Sequence, residues 1–249
     1  MADLYSKVTL RPRSKLERLV DLLEPSCDVP GRPKNGLCTQ LALYFLLWGE
    51  APPHAAAEAV KTLRTPDGQL DPAELGGGAR ALVESLCSAA RVDEVAGALQ
   101  AVARLAAEGL ETVARRDPEE ARRRLASLPR LPADQADFLL LASGCVSTVA
   151  PSPAALRVVS RVGYPGTSYA ALARAIDAEL PEGDPHEVAW RAHHVLKQHG
   201  LRTCKESPAC STCRAEPACS YAGKGDDPFV RVSAINRNGS APPGDGAGG

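Results

Sequence analysis

An all-α fold is what this sequence predicts, and three observations carry the prediction. Apolar residues make up 44% of the chain but aromatics only 4%, and much of the apolar share is alanine. Strands favour aromatic and β-branched side chains, whereas alanine is the strongest helix former. Apolar positions also recur at helical spacing in one stretch after another, and Ser, Asp, Pro and Gly punctuate those stretches where helices start and stop. A chain of 249 residues has room for one large domain or two modest ones with real cores.

Taken in order, SKLERLVDLLEP sets Leu16, Leu19, Val20 and Leu23 on one face and ends at a proline, the pattern of an amphipathic helix. LCTQLALYFLLW, from Leu37 to Trp48, is apolar on nearly every face, as a helix buried inside a bundle is. PPHAAAEAVKTL starts a helix with prolines in its first turn, where a missing N–H costs nothing. The turn TPDG and glycines 76 to 78 are expected to separate it from a helix beginning ARALVESLC. One long helical run is expected over VDEVAGALQAVARLAAEGLETVARR, and a short helix from Pro118 to Leu125. Residues 128–144, LPRLPADQADFLLLASG, have the outline of a hairpin leading into a helix. Three more helices follow in PSPAALRVVSRVG, SYAALARAIDAEL and DPHEVAWRAHHVLKQHG, the last ending at Gly200. The Gly- and Pro-rich tail, residues 223–249, is expected to be disordered.

No apolar run approaches the roughly 18 residues needed to span a bilayer, and the N-terminus lacks a signal-peptide core. These features predict a soluble, cytoplasmic protein without a membrane partner. Eight cysteines are present. Cys27, Cys38, Cys87 and Cys145 sit singly in apolar surroundings and are expected to pack as small hydrophobes. The other four are grouped.

That group carries the chemistry. Cys204, Cys210, Cys213 and Cys219 follow the last helix at the spacing Cys-x5-Cys-x2-Cys-x5-Cys. A Cys-x2-Cys pair holds either a zinc ion or an iron–sulfur cube. Zinc ribbons place two such pairs a dozen or more residues apart. Here one pair is bracketed by single cysteines, and so compact a loop suits a cubane better than a tetrahedral ion.

Formal net charge is -1, which does not mark a nucleic-acid binder. Its distribution is uneven. Residues 191–224 hold six basic side chains, Lys197 among them, against Glu206 and Glu216. Residues 35–146 hold eleven basic and fifteen acidic side chains, a net of minus four.

In His193, His194, Leu196, His199, Gly200, Thr203 and the four cysteines the chain closely resembles the C-terminal end of the endonuclease III family, helix-hairpin-helix DNA glycosylases with an iron–sulfur loop. The family usually has six residues in the first cysteine gap, one more than here. A fainter similarity extends from about Leu16 to Tyr221. It implies a two-lobed helix-hairpin-helix glycosylase fold: residues 35–146 form a helical bundle with a degenerate hairpin, and residues 1–34 plus 147–222 form the lobe of a [4Fe-4S] cluster. It implies double-stranded DNA as partner, with Arg130, Gln135, Arg157 and Lys197 as candidate DNA contacts, and Cys204, Cys210, Cys213 and Cys219 as cluster ligands. It also implies that His193, His194 and His199 are structural rather than metal ligands.

The resemblance fails where the family does its chemistry. The hairpin pattern Leu-Pro-Gly-x-Gly-x-x-x-Ala is met by Leu128, Pro129 and Ala136, but Arg130 and Pro132 occupy its glycine places. Bifunctional members use a lysine to form a Schiff base, and both classes use an aspartate. Those places fall on Asp134 and Ser152, and register does not matter. No lysine stands between Lys61 and Lys197, and residues 138–176 contain no Asp or Glu. Arginine cannot lose its proton to serve instead. The expectation is a protein of the base-excision-repair type that binds DNA without the usual glycosylase-lyase chemistry. Its alternatives are an active monofunctional glycosylase whose acid has moved to Asp134 or Asp137, and a structural or redox iron–sulfur protein with no DNA role. In the bland account these two aspartates are solvated or capping groups. Glu50, near the place where the family inserts a glutamine, reads as a loop residue.

Overall fold

The computed structural model describes residues 12–65 and 68–221. Among them are eleven α-helices and no strand; one isolated β-bridge joins Arg64 and Leu70. The described residues adopt the expected all-α class. No helix among the described residues is long and apolar enough to cross a membrane. The tail expected to be disordered lies outside the described residues, as do two residues of the TPDG turn.

Two compact units divide the chain. One joins the segment up to Val29 to the segment from Pro153 onward; the other is Pro30–Ser152. Hydrogen bonds explain why these boundaries stand a few residues from the expected 34/35 and 146/147. The Asp28 N–H donates to Gln198, which ties the end of the first segment to its own unit. The N–H groups of Cys145 and Val146 donate to the Leu140 carbonyl and hold that stretch in the other.

The first unit opens with α1 (Lys15–Leu23), and a capping box starts it. The Ser14 hydroxyl accepts the Glu17 N–H at 3.2 Å while the Glu17 carboxylate accepts the Ser14 N–H at 2.9 Å. Its buried residues are the four predicted from periodicity.

The second unit is built around α2 (Leu37–Trp48). Leu37, Leu41, Phe45 and Leu46 are at most 1% exposed, which explains a helix with little polar face. Its N-cap, Gly36, has no side chain to offer; the Glu111 carboxylate accepts the Cys38 N–H and occupies the space a Cβ on Gly36 would need. Around α2 stand α3 (Pro53–Thr62), α4 (Pro72–Leu86), α5 (Val92–Ala107), α6 (Leu110–Arg116), α7 (Pro118–Leu125) and α8 (Ala133–Ala142).

Two expectations are corrected here. Glycines 76 to 78 lie inside α4 rather than before it. Each glycine costs a helix about 1 kcal/mol, but Asp71 caps the helix, Pro72 fills its first position, and Leu75, Ala79 and Val83 are buried. The long run from Val92 to Arg116 is two helices, because Gly109 takes a left-handed φ of 75° between them.

A short connection joins α7 to α8 in the stretch where a hairpin was expected. Asp117 accepts the Glu120 N–H to start α7, residues 126–132 form the connection, and α8 begins after Pro132. Arg130 in the connection has φ 60°, the left-handed conformation that glycine favours. The Tyr44 hydroxyl donates to its carbonyl at 2.7 Å, and its guanidinium donates to Glu94 at 3.2 Å.

Back in the first unit, α9 (Pro153–Val162), α10 (Tyr169–Asp177) and α11 (Pro185–Arg202) complete the fold, with α11 packed against both α1 and α9. Ser168 and Asp184 cap α10 and α11. Arg191 on α11 donates to Asp21 and to Glu24, and holds the Glu24 carboxyl below the usual range. The helix does not stop at Gly200. That glycine serves packing: a Cβ there would press on the Ala154 carbonyl of α9, so the two helices approach as closely as only glycine permits.

Candidate metal centre

The cysteine loop begins where α11 ends. The N–H groups of Thr203 and Cys204 both donate to the His199 carbonyl at 2.9 Å, closing the helix, and the Ala209 N–H returns to the Thr203 carbonyl. Two short 3-10 turns follow, Cys210–Thr212 and Glu216–Ala218, and Cys213 and Cys219 each stand directly after one.

Two arginines one helical turn apart on α9 hold this loop. Arg157 donates from Nε to the Cys204 carbonyl at 2.7 Å and from Nη2 to the Gly200 carbonyl at 2.8 Å, capping the C-terminal end of α11 with positive charge. Arg161, only 3% exposed, donates from Nη2 to the Glu206 carbonyl at 3.1 Å and from Nη1 to the Lys205 carbonyl. The same Nη1 is 3.4 Å from the Cys204 sulfur, and the guanidinium lies 4.6 Å over the Tyr221 ring. From α11, His199 Nε2 is 3.6 Å from the Cys213 sulfur.

All four cysteines line one cavity of about 100 Å³, walled by Val158, Arg161, Val162 and His199. Cys210 is exposed, and the other three are half-buried. Burial pushes the Cys204 thiol up against the opposing pull of Arg161, and it pushes the Cys213 thiol up as well. Metal ligation requires thiolates. The loop therefore gathers four sulfurs where, without a cationic centre, burial favours the protonated form of at least these two. This donor set fits a thiolate-ligated centre. No three His, Cys, Asp or Glu among the described residues are grouped as the ligands of a single ion.

The remaining cysteines differ in kind. Cys38 is 4% exposed and its thiol is pushed up to about 12, chiefly by burial. Cys27, Cys87 and Cys145 are half-buried rather than fully buried, with thiols also raised by burial. At all four, burial disfavours the thiolate, which is the nucleophilic form. His193 and His194 pack ring to ring at 4.9 Å, and His194 packs on Trp190 at 4.4 Å. Burial first, then the neighbouring His193, pushes His194 down to about 4.

The other candidate residues fall into two groups. In the second unit, Asp137 is 7% exposed and receives the Arg122 Nε at 2.6 Å, so it is neither solvated nor a cap. Asp134 is half-buried in the first turn of α8, close enough to raise the Tyr44 phenol further after burial has raised it. Gln135 is half-buried beside it, Arg130 is exposed, and half-buried Ser152 closes the unit. Glu50, at φ 70°, pairs with Arg91 at 3.3 Å in a loop. In the first unit Lys197 is exposed on α11, whereas the Arg157 guanidinium is engaged by the Cys204 and Gly200 carbonyls. The hold of Arg161 on the loop was not visible in sequence, because the carbonyls it meets belong to Lys205 and Glu206, more than forty residues further along the chain. No family model and no curated protein matches the chain.

Proposed function

We propose that this chain is an endonuclease III-like iron–sulfur protein of the base-excision-repair type, which binds double-stranded DNA but lacks the lysine and aspartate chemistry of active glycosylase-lyases. The observation that carries it is the cavity shared by Cys204, Cys210, Cys213 and Cys219, closed by the C-terminal end of α11 and by Arg161. It is the spacing Cys-x5-Cys-x2-Cys-x5-Cys that favours a [4Fe-4S] cube over a zinc ion. When bound, such a cluster would cross-link the loop and contribute folding free energy to the first unit. The chain's own part is to hold four thiolates: Arg161 supplies charge beside Cys204, and Arg157 fixes the carbonyls on which the loop starts.

The α7–α8 pair supports the DNA half of the proposal. Its connection keeps a left-handed residue where the family keeps glycine, although that residue is Arg130. Arg130, Gln135 and Lys197 are the proposed DNA contacts, with Arg157 removed from the set. Reduced thiolate ligands accord with the cytoplasm as location.

The reading in which the acid has moved rests on Asp134, because Asp137 is tied to Arg122. Anaerobic purification followed by iron and sulfide analysis tests the cofactor; equal amounts of the two are expected, and zinc in their place refutes it. Duplex binding that weakens steeply with salt is expected if the DNA role is right, and no retardation at low salt refutes it. Borohydride should trap no adduct on abasic duplex, and base release lost in Asp134→Asn would establish the alternative.

A further inference from the structure

His199 faces the cavity with nothing in the proposed function to explain it. Its ring nitrogen Nε2 is 3.6 Å from the Cys213 sulfur, within the longer reach of an N–H···S hydrogen bond, and the residue is 5% exposed, so water has little access to take over that partner. Its backbone is equally constrained. The same carbonyl accepts the N–H groups of Thr203 and Cys204, and the next residue is the glycine packed on Ala154. One residue therefore fixes both halves of the loop, Cys204 through its backbone and Cys213 through its ring.

We propose that His199 is a positioning residue for the iron–sulfur centre, donating its Nε2–H to the ligating Cys213 thiolate and thereby retaining the cluster and raising its reduction potential. The inference rests on the cluster reading above. A ligating thiolate carries no proton, so the imidazole must be the donor, which fixes its tautomer. A hydrogen bond to a ligating sulfur offsets part of the charge added on reduction and so moves the potential upward. Removing such a partner typically weakens metal retention by about 10- to 100-fold.

The test compares wild type with His199→Leu and His199→Gln, all purified anaerobically and titrated in an electrochemical cell that supplies one electron per cluster. The Leu variant is expected to have a lower midpoint potential than wild type at equal iron and sulfide content, with Gln, which keeps a donor, between them. Cluster loss in air should be about 10-fold faster or more for Leu. A purely structural role would speed loss without moving the potential of the clusters that remain. A loaded Leu variant with the wild-type potential overturns the proposal. If neither variant loads, pulsed electron paramagnetic resonance on the reduced wild-type protein with 15N-histidine decides. A weak coupling to a histidine nitrogen supports the hydrogen bond, and its absence refutes it. Wild-type protein that carries no iron or sulfide sinks the cluster reading itself, a different failure from an unmoved potential.

Discussion

Asp137 is where a structural and a chemical account of the same carboxylate part company. Its side chain is 9% exposed and meets the Arg122 Nε at 2.6 Å, while Arg122 also reaches Glu119 at 2.6 Å. Removing one member of a fully buried ion pair costs about 3–5 kcal/mol, because the other charge is left desolvated. Here the Arg122 side chain keeps 28% of its exposure and has Glu119 as a second partner. The cost is accordingly smaller, about 2 kcal/mol for Asp137→Ala. At roughly 2–4 °C per kcal/mol for a chain of this size, the melting temperature should fall by about 4–8 °C.

Thermal unfolding followed by circular dichroism measures the shift, and a double-mutant cycle with Arg122→Met tells whether the loss is the pair's. Once Arg122 is already absent, removing Asp137 should cost much less, giving a coupling of about 1 kcal/mol or more. The same proteins are then assayed for base release on damaged duplexes. A wild type that releases base, and an Asp137→Ala variant that melts at the wild-type temperature but releases none, would refute the reasoning. In that event Asp137 would be a reacting acid and its contact with Arg122 incidental.

Three further outcomes follow from particular residues. Gly200→Ala should destabilise the first unit by about 3 kcal/mol, since the methyl meets the Ala154 backbone rather than a side chain that can turn aside; an unchanged melt would show that α9 and α11 can separate freely. Arg130→Gly should be neutral or stabilising by up to about 1 kcal/mol, because relief of the left-handed strain outweighs an exposed pair with Glu94, whereas Arg130→Val should cost about 1–2 kcal/mol. His194 is depressed from an ordinary 6.5 to about 4, so the unfolded chain binds a proton before the folded one does. Its contribution is therefore complete above pH 6.5 and is lost as pH falls toward 4. Wild type should lose more melting temperature between pH 7 and 5 than His194→Gln, and identical slopes would contradict the assignment.

What sequence made legible was local. Pro118 to Leu125 read correctly because Asp117 and Pro118 state the start of a helix in chemical terms. The four loop cysteines read as one group because spacing is itself the signal, and they do line one cavity. Glycine misled in both directions, since its meaning depends on what lies opposite. Gly76 to Gly78 looked like a breaker and sit inside α4, while Gly109 looked tolerable and divides two helices. Gly200 looked like a helix end and is a contact with Ala154. The roles of Arg157 and Arg161 could not be read at all, because the carbonyls they hold lie more than forty residues further along the chain.

Those arginines bear on the lack of acidic side chains around α9. Arg157 and Arg161 share one side of α9 and are both turned to the loop, and residues 138–176 contain no acid. A carboxylate near this helix would compete with the loop carbonyls for the same guanidinium groups, and a charged partner is the stronger acceptor. In the second unit the pattern reverses. Asp137, Glu119, Glu120 and Glu108 are each paired with Arg122, Arg123 or Arg124. Asp134 makes no ion pair among the described residues, so an acid-dependent reaction here runs through Asp134 if these two aspartates supply it. Sequence alone had left Asp134 and Asp137 on equal terms.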